Sequence, residues 1–177
     1  MLENLGLDVK VVSADVEEKV EGSPPPPLMV QELALMKGAA AARTLRSGLV
    51  LSADTLVFSE TEALGKPRDA AHAKEMLRRL SGKTHLVYTG ICVIDAGTGK
   101  SATDFSVTEV VFRPLEEREI DRYIQSGEPF DKAGGYGIQG LGSLLVEKIQ
   151  GDYFNVVGLP LVTLNRLLKA EFDTNIL

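Results

Sequence analysis

The residues best suited to chemistry are an acidic side chain within an apolar run and two lysines on neighbouring segments. Asp54 interrupts the apolar segment 49–58, which is typical of a buried strand, and we expect that strand to run parallel to its neighbours. A buried carboxylate is costly unless it is paired or binds a ligand. Asp54 is therefore a candidate general base or metal ligand, and the alternative is a structural aspartate that caps a turn.

Two lysines are candidates for an anionic ligand. Lys37 falls on the apolar face of a helix predicted over 28–45. There its stem covers apolar surface, or its amine points into a site at the edge of the core. Lys66 precedes Pro67, which favours an extended loop conformation, and a single loop lysine is usually only solvated.

A glycine-rich segment, 131–140, is the second candidate site. It holds four glycines together with Lys132 and Gln139, and Tyr136 and Ile138 are interleaved with them. Glycine permits positive φ and close approach of the backbone to a ligand. The segment therefore predicts a part-buried loop whose amides and side chains face a polar ligand, in preference to an ordinary surface turn.

Composition restricts the class of protein. The chain has 177 residues, which suits one domain, and a net charge of -6, which argues against broad binding of nucleic acid or anionic membranes. Cys92 is the single cysteine, which excludes an intrachain disulfide and predicts a reducing, cytoplasmic compartment. Its position in an apolar run predicts a buried, inert thiol. No apolar run approaches the ~20 residues of a membrane span, and no basic signal-peptide region is visible. His72 and His85 have no ligand partner at useful spacing, so both are expected to be structural.

Hydrophobic periodicity predicts an α/β fold with a mixed, twisted sheet flanked by helices. The first residues read as the end of a helix that stops at Gly6, and the prolines at 24–27 read as a stiff connector. The remaining predicted helices are 28–45, 70–80 with Asp69 as N-cap, 114–125 and a closing helix that ends at 168. The predicted strands are 9–13, 49–58, 84–95, 102–113 and 142–149, with a turn at 151–155.

Five motifs in order resemble the Maf family of nucleoside triphosphate pyrophosphatases, and the match covers nearly the whole chain. They are Ser52-Ala53-Asp54-Thr55, Gly65-Lys66-Pro67, Leu80-Ser81-Gly82 with Thr84-His85, the segment 131–140, and Asn155-Val156-Val157-Gly158-Leu159-Pro160. The resemblance implies a fold related to the inosine triphosphate pyrophosphatases. It also implies a nucleotide diphosphatase that cleaves between the α and β phosphates with Mg²⁺ or Mn²⁺. Within the family, Asp131-Lys132-Ala133-Gly134 followed by Gly137-Ile138-Gln139-Gly140 resembles the branch that takes dTTP and UTP, with modified pyrimidine nucleotides as further substrates.

The resemblance also implies roles for individual residues. Asp54 is the base for the attacking water and Glu18 a carboxylate on the metal, so that these two residues hold the cation. Lys37 and Lys66 contact phosphates, and Gln139 lies in the site. Further substrate-binding positions in the matching motifs are Thr55, Lys132 and Gly134. This chemistry is plausible from the residues alone, because phosphoryl transfer needs charge neutralisation, a positioned water and a base.

The sequence departs from the family pattern at its first residues. Met1 to Leu7 match the end of a helix that in the family follows a strand and a Ser/Arg-rich loop. We therefore expect a single Maf-like domain over 1–177 without that strand and loop, and a homodimer by analogy with the family. Two alternatives stay open: a catalytically impaired nucleotide-binding protein, and a receiver-type module with Asp54 as phosphoacceptor beside Glu17 and Glu18.

Overall fold

The computed structural model describes residues 1–13, 16, 20, 22, 24–60 and 62–177. These described residues form five strands and five α-helices, with short 3₁₀ helices between them. The strands are β1 (Leu49–Ser59), β2 (Glu62–Leu64), β3 (Thr84–Asp95), β4 (Ser101–Phe112) and β5 (Val146–Gln150). The helices are α1 (Pro26–Ala42), α2 (Ala70–Leu80), α3 (Glu117–Gln125), α4 (Tyr153–Val157) and α5 (Leu161–Phe172). The predicted α/β architecture, with helices flanking one sheet, is confirmed.

The described strands form one sheet in the order β2-β1-β3-β4-β5, and each neighbouring pair is antiparallel. The prediction that β1 runs parallel to its neighbours was wrong. The long register from Leu49 opposite Asp95 to Phe58 opposite Leu86 joins β1 to β3. Both faces of β1 are covered, because α1 packs on one face and, on the other, Leu51 and Ala53 pack against the cluster that α5 forms with β3. Two covered faces give the continuous apolar run that also characterises a parallel strand.

Helix α1 begins two residues earlier and ends three residues earlier than predicted. Pro26 and Pro27 lie inside its first turn, so the prediction of a stiff, non-helical connector over 24–27 was wrong for these two prolines. Proline is tolerated there because the first amides of a helix have no partner within the helix. The predicted inner face is confirmed, since Val30, Leu33, Ala34 and Ala41 are buried.

Helices α2 and α3 pack beside each other and beside the glycine-rich segment. The predicted N-cap of α2 is confirmed, because the Asp69 side chain accepts a hydrogen bond from the His72 amide. Helical spacing predicts an inner face of Ala70, Ala73, Leu77 and Leu80 for this helix. Ala70 is exposed, the other three are buried, and Met76 is buried with them. Helix α3 starts three residues after the predicted Pro114, because Glu116 caps it in a capping box with Glu119.

The two ends of the chain differ from their predictions in detail. Glu3–Leu5 is a 3₁₀ helix that ends at Gly6, which has φ 77°, but residues 9–13 form no strand. The predicted strand 142–149 is a 3₁₀ helix, Gly140–Leu145, followed by β5. The predicted turn at 151–155 contains the start of α4, and the closing helix α5 extends to Phe172.

Three buried clusters form the core. One lies between α1 and the sheet, one between α5 and the opposite face, and the largest joins β1, β3 and β4 to α2, α3 and the glycine-rich segment. Cys92 is fully buried in the first of these clusters, as predicted. In the part of the chain that the structure describes, no helix has the length and apolar character needed to cross a membrane.

Candidate active site

A cleft of about 500 Å³ lies where β1, α1, α4 and the glycine-rich segment meet. It brings together six of the eight predicted site residues: Asp54, Thr55, Lys37, Lys66, Lys132 and Gln139. Gly134 lies behind the lining and does not face the cleft. Glu18, predicted as a catalytic residue and metal ligand, lies outside the described residues.

The centre of the cleft holds an ion pair between Lys37 of α1 and Asp54 of β1. Asp54 is buried, with 9% of its side chain exposed, and Lys37 is 29% exposed. Their meeting depends on Gly90, which lies opposite Asp54 on β3 and lets the α1 backbone approach the sheet. Of the two interpretations of Lys37, the one in which its amine points into a site is therefore correct.

Two further lysines stand on the rim of the cleft. Lys132 Nζ lies 2.6 Å from Asp131 Oδ1, and Lys66 follows Gly65 on the adjacent loop. The hydrogen bond from Lys132 lowers the pKa of Asp131, and the positive charge of Lys66 contributes to the same shift. Three lysines against the two aspartates of the lining leave a net charge of +1, and their amines suit a ligand carrying several phosphates.

The glycine-rich segment is pinned to the core, as predicted. Gly134 has φ 73°, and its amide donates to the Gly65 carbonyl at 3.0 Å. A Cβ at Gly134 would lie 2.8 Å from Val57 Cγ2, so only glycine fits between the segment and β1. Buried Tyr136 anchors the middle of the segment, because its hydroxyl lies 2.6 Å from His85 Nε2.

The far end of this segment is fastened by two side chains from outside it. The amide of Gly137 donates to the Tyr123 hydroxyl at 3.1 Å. The amides of Leu141 and Gly142 donate to the two carboxylate oxygens of Glu128 at 3.0 and 3.2 Å. Burial raises the pKa of Tyr123 to about 12, so the phenol stays protonated. These contacts hold the backbone on both sides of Gln139, whose side chain is exposed at the rim.

The cleft also has an apolar part. Val57 and Val87 come from β1 and β3, and Val156 and Val157 come from α4. Thr55 lines the cleft from the same face of β1 as Val57, opposite to the face that carries Asp54. The cleft therefore combines a charged region with an apolar region, which is the pattern of a site for a phosphorylated organic ligand.

Sequence reasoning missed part of this site. Val156 and Val157 line the apolar part of the cleft and belong to the last of the five motifs, but nothing in the sequence assigned them a role. Nothing in the sequence indicated that the glycine-rich segment is held by Glu128, since a single acidic residue before a proline is common in loops.

The two histidines have structural contacts, as predicted. Burial lowers the pKa of His85 to about 4, so that its ring is neutral where it contacts Tyr136. The Nδ1 atom of His72 accepts a hydrogen bond from the Arg68 amide at the start of α2.

The resemblance implies a divalent cation, which needs oxygen ligands in or beside the cleft. Among the described residues there is no cluster of three or more His, Cys, Asp or Glu side chains that could hold a metal ion. Asp54 does supply one buried carboxylate in a cleft lined by lysines. Mg²⁺ commonly binds through one or two carboxylates and completes its coordination with substrate phosphates and water. The described residues therefore fit a cation that arrives with a phosphate ligand.

Fold and cleft together define an α/β protein with a lysine-lined site for a phosphorylated ligand. The antiparallel pairing of β1 excludes the receiver-type alternative, because receiver modules are built on parallel sheets. The family model described as "Maf-like protein" matches residues 1–171, and the chain belongs to this family.

Similar curated proteins carry one shared name, dTTP/UTP pyrophosphatase. The protein of that name from Alkaliphilus oremlandii is 48% identical over 178 residues, which is 100% of this chain and 92% of the relative. One from a Thermoanaerobacter species is 46% identical, over 100% of this chain and 93% of the relative. One from Bacillus cytotoxicus is 49% identical, over 98% of this chain and 90% of the relative.

Proposed function

We propose that this chain is a nucleoside triphosphate pyrophosphatase that hydrolyses dTTP and UTP to the monophosphate and pyrophosphate. The observation that carries the proposal is the buried Asp54–Lys37 pair in a cleft with Lys66 and Lys132 on its rim. Full-length relatives named for this activity, 46% and 48% identical to the chain, support the choice of substrate.

In the proposed mechanism Asp54 orients and deprotonates the water that attacks the α phosphate. Its burial and its contact with Lys37 hold the carboxylate in one position. Lys37, Lys66 and Lys132 spread positive charge along the triphosphate and stabilise the charge that develops on the leaving pyrophosphate. The pinned backbone around Gln139 positions that amide for hydrogen bonds to the nucleotide.

The proposal includes a divalent cation, Mg²⁺ or Mn²⁺, held by Asp54 and by Glu18, which lies outside the described residues. When bound, such a cation would neutralise phosphate oxygens and lower the barrier to their displacement. Hard carboxylate oxygens favour these ions over Zn²⁺.

We further propose a cytoplasmic homodimer. A buried free cysteine and the absence of any cysteine partner in the sequence support a reducing compartment. The family resemblance supports the dimer, and Tyr153 and Phe154 offer a partly exposed aromatic pair that a second copy could cover. Analytical ultracentrifugation tests this state, and a monomer at micromolar concentration would contradict it.

The activity is tested by incubating the chain with a panel of nucleoside triphosphates and Mg²⁺ or Mn²⁺ and separating the products by chromatography. The proposal expects UMP and pyrophosphate from UTP, and the corresponding products from dTTP. UDP and inorganic phosphate would mean a different bond is cleaved. Binding of the nucleotides without any product would instead favour the catalytically impaired binding protein.

A further inference from the structure

Half-buried Thr55 and fully buried Thr89 form a directed chain of hydrogen bonds that ends in the cleft. Thr55 and Thr89 are cross-strand partners on β1 and β3, and their hydroxyl oxygens lie 2.9 Å apart. Thr89 Oγ1 also lies 2.8 Å from the carbonyl oxygen of Asn155. A carbonyl can only accept and a hydroxyl has one proton, so Thr89 donates to Asn155. Thr89 must then accept a hydrogen bond from the Thr55 hydroxyl. The Thr55 proton therefore points at Thr89 and away from the cleft.

The direction of this chain is fixed by its burial. Thr89 and Asn155 are both fully buried. The side chain of Asn155 holds this residue in place, because its Nδ2 donates to the Val87 carbonyl and to the Thr108 hydroxyl, both at 3.0 Å. The Thr108 hydroxyl in turn donates to the Asp152 carbonyl at 2.9 Å. Reversing the chain would turn the lone pairs of the Thr89 hydroxyl towards those of the Asn155 carbonyl oxygen, 2.8 Å away in a buried position, which is energetically costly even though this carbonyl also accepts from the Gly158 amide at 3.0 Å.

We propose that Thr89 is a positioning residue that makes the Thr55 hydroxyl oxygen a hydrogen-bond acceptor towards the cleft, so that the site selects a nucleobase with a ring N–H donor. Thr55 lies beside the apolar part of the cleft formed by Val57, Val87, Val156 and Val157, where a base rather than a triphosphate fits. Uracil and thymine carry such a donor at N3, whereas cytosine has an acceptor there. The inference rests on the proposed nucleotide function and adds the physical basis of its base selectivity.

Gln139 cannot supply this selectivity by itself. A side-chain amide offers both a donor and an acceptor and can rotate to present either one. Gln139 is also exposed at the rim, whereas the Thr55–Thr89–Asn155 chain is held by the core. Among the described residues no side chain or amide donates a hydrogen bond to the Thr55 hydroxyl oxygen, so its lone pairs are available to a ligand.

The test measures binding, so that it does not depend on turnover. Calorimetry gives the Kd of α,β-methylene-UTP and α,β-methylene-CTP for the unchanged chain, for Thr89→Val and for Thr89→Ser, with Mg²⁺ present. Valine is close to threonine in shape but accepts no hydrogen bond, so the Thr55 proton becomes free to point at cytosine N3. The preference for the uridine analogue should fall at least about tenfold in Thr89→Val, chiefly through tighter binding of the cytidine analogue. Thr89→Ser should keep the original preference.

Equal weakening of both analogues in Thr89→Val would overturn the inference, because a general packing defect or a contact to the sugar acts on both alike. Such a result, with UTP still hydrolysed to UMP and pyrophosphate, would leave the proposed function intact. If neither analogue binds the unchanged chain, the inference and the proposed function both fail.

A second measurement uses only the unchanged chain and decides the matter if Thr89→Val does not fold. N3-methyl-UTP lacks the N–H donor, and 5-methyl-UTP carries the same extra methyl group but keeps the donor. The N3-methylated nucleotide should bind at least about tenfold more weakly than its matched isomer. Equal affinity for the two isomers would overturn the inference.

Discussion

Gly90 controls the distance between α1 and the sheet, and its replacement by alanine tests how the site is assembled. A Cβ at Gly90 would lie 2.6 Å from the backbone nitrogen of Gln31, and closer still to the carbonyl of Val30. That separation is about 1 Å shorter than ordinary contact, and the atoms on both sides belong to backbone. Overpacking of this kind destabilises proteins by about 1–3 kcal/mol, and we expect Gly90→Ala to reach the upper end of that range.

The same substitution should damage the site, because Lys37 lies two turns along α1 from Val30 on the same face. A helix displaced by about 1 Å carries the amine away from Asp54, and misplacements of that size can cost about 100-fold in rate. Urea unfolding measures the stability change, and kcat/KM with UTP measures the catalytic one.

Gly97→Ala is the matched control for this experiment. Gly97 lies in the exposed loop between β3 and β4, and a Cβ there would lie 3.4 Å from the Asp95 carboxylate. We expect that change to alter the free energy of unfolding by no more than about 0.5 kcal/mol. If Gly90→Ala is as stable and as active as Gly97→Ala, the close contact between α1 and β3 does not position the site.

Three further outcomes follow from single side chains. Glu128→Gln removes one of the two oxygen acceptors for the amides of Leu141 and Gly142. The KM for UTP should therefore rise, and the free energy of unfolding should fall by about 1 kcal/mol. The control Glu147→Gln, at an exposed position, should change neither quantity. Burial lowers the pKa of His85 from 6.5 to about 4, so the unfolded chain binds more protons between these values and stability rises with pH across that window. In His85→Gln, the rise in the free energy of unfolding across that pH window should be smaller by up to about 3 kcal/mol, as measured by urea unfolding at several pH values. A rise equal to that of the unchanged chain would contradict the burial argument. Burial raises the pKa of Cys92 to about 11, so iodoacetamide at about pH 8 should label the thiol only in concentrated urea, and labelling of the folded chain would contradict this.

Periodicity predicted the helices and strands better than their ends or directions. The apolar face of α1 could be predicted, because apolar residues at helical spacing are expected to be buried. The direction of β1 could not, because a strand covered by helices on both faces is apolar whichever way its neighbours run. The start of α1 at Pro26 was missed because proline is excluded from helix interiors but accepted in the first turn.

The candidate site was predictable as far as single residues carry a chemical signal. Asp54 and Lys37 were singled out from their places in a strand and on a helix face, and the structure brings them together. The contacts that hold the site could not be found in this way. Glu128 contacts a segment 13 residues further along the chain, and Thr89 contacts a carbonyl 66 residues away. Those pairings exist only once the chain has folded.

The central claim, that Asp54 activates water in a nucleotide pyrophosphatase, is tested most directly by replacing that carboxylate. Pyrophosphate release from UTP and dTTP should be compared for the unchanged chain, Asp54→Asn and the exposed control Asp8→Asn. Loss of a general base lowers rates by about 10²–10⁴, so we expect Asp54→Asn to lose activity by that factor and Asp8→Asn to retain it. Folded Asp54→Asn that releases pyrophosphate at the rate of the unchanged chain would contradict the account.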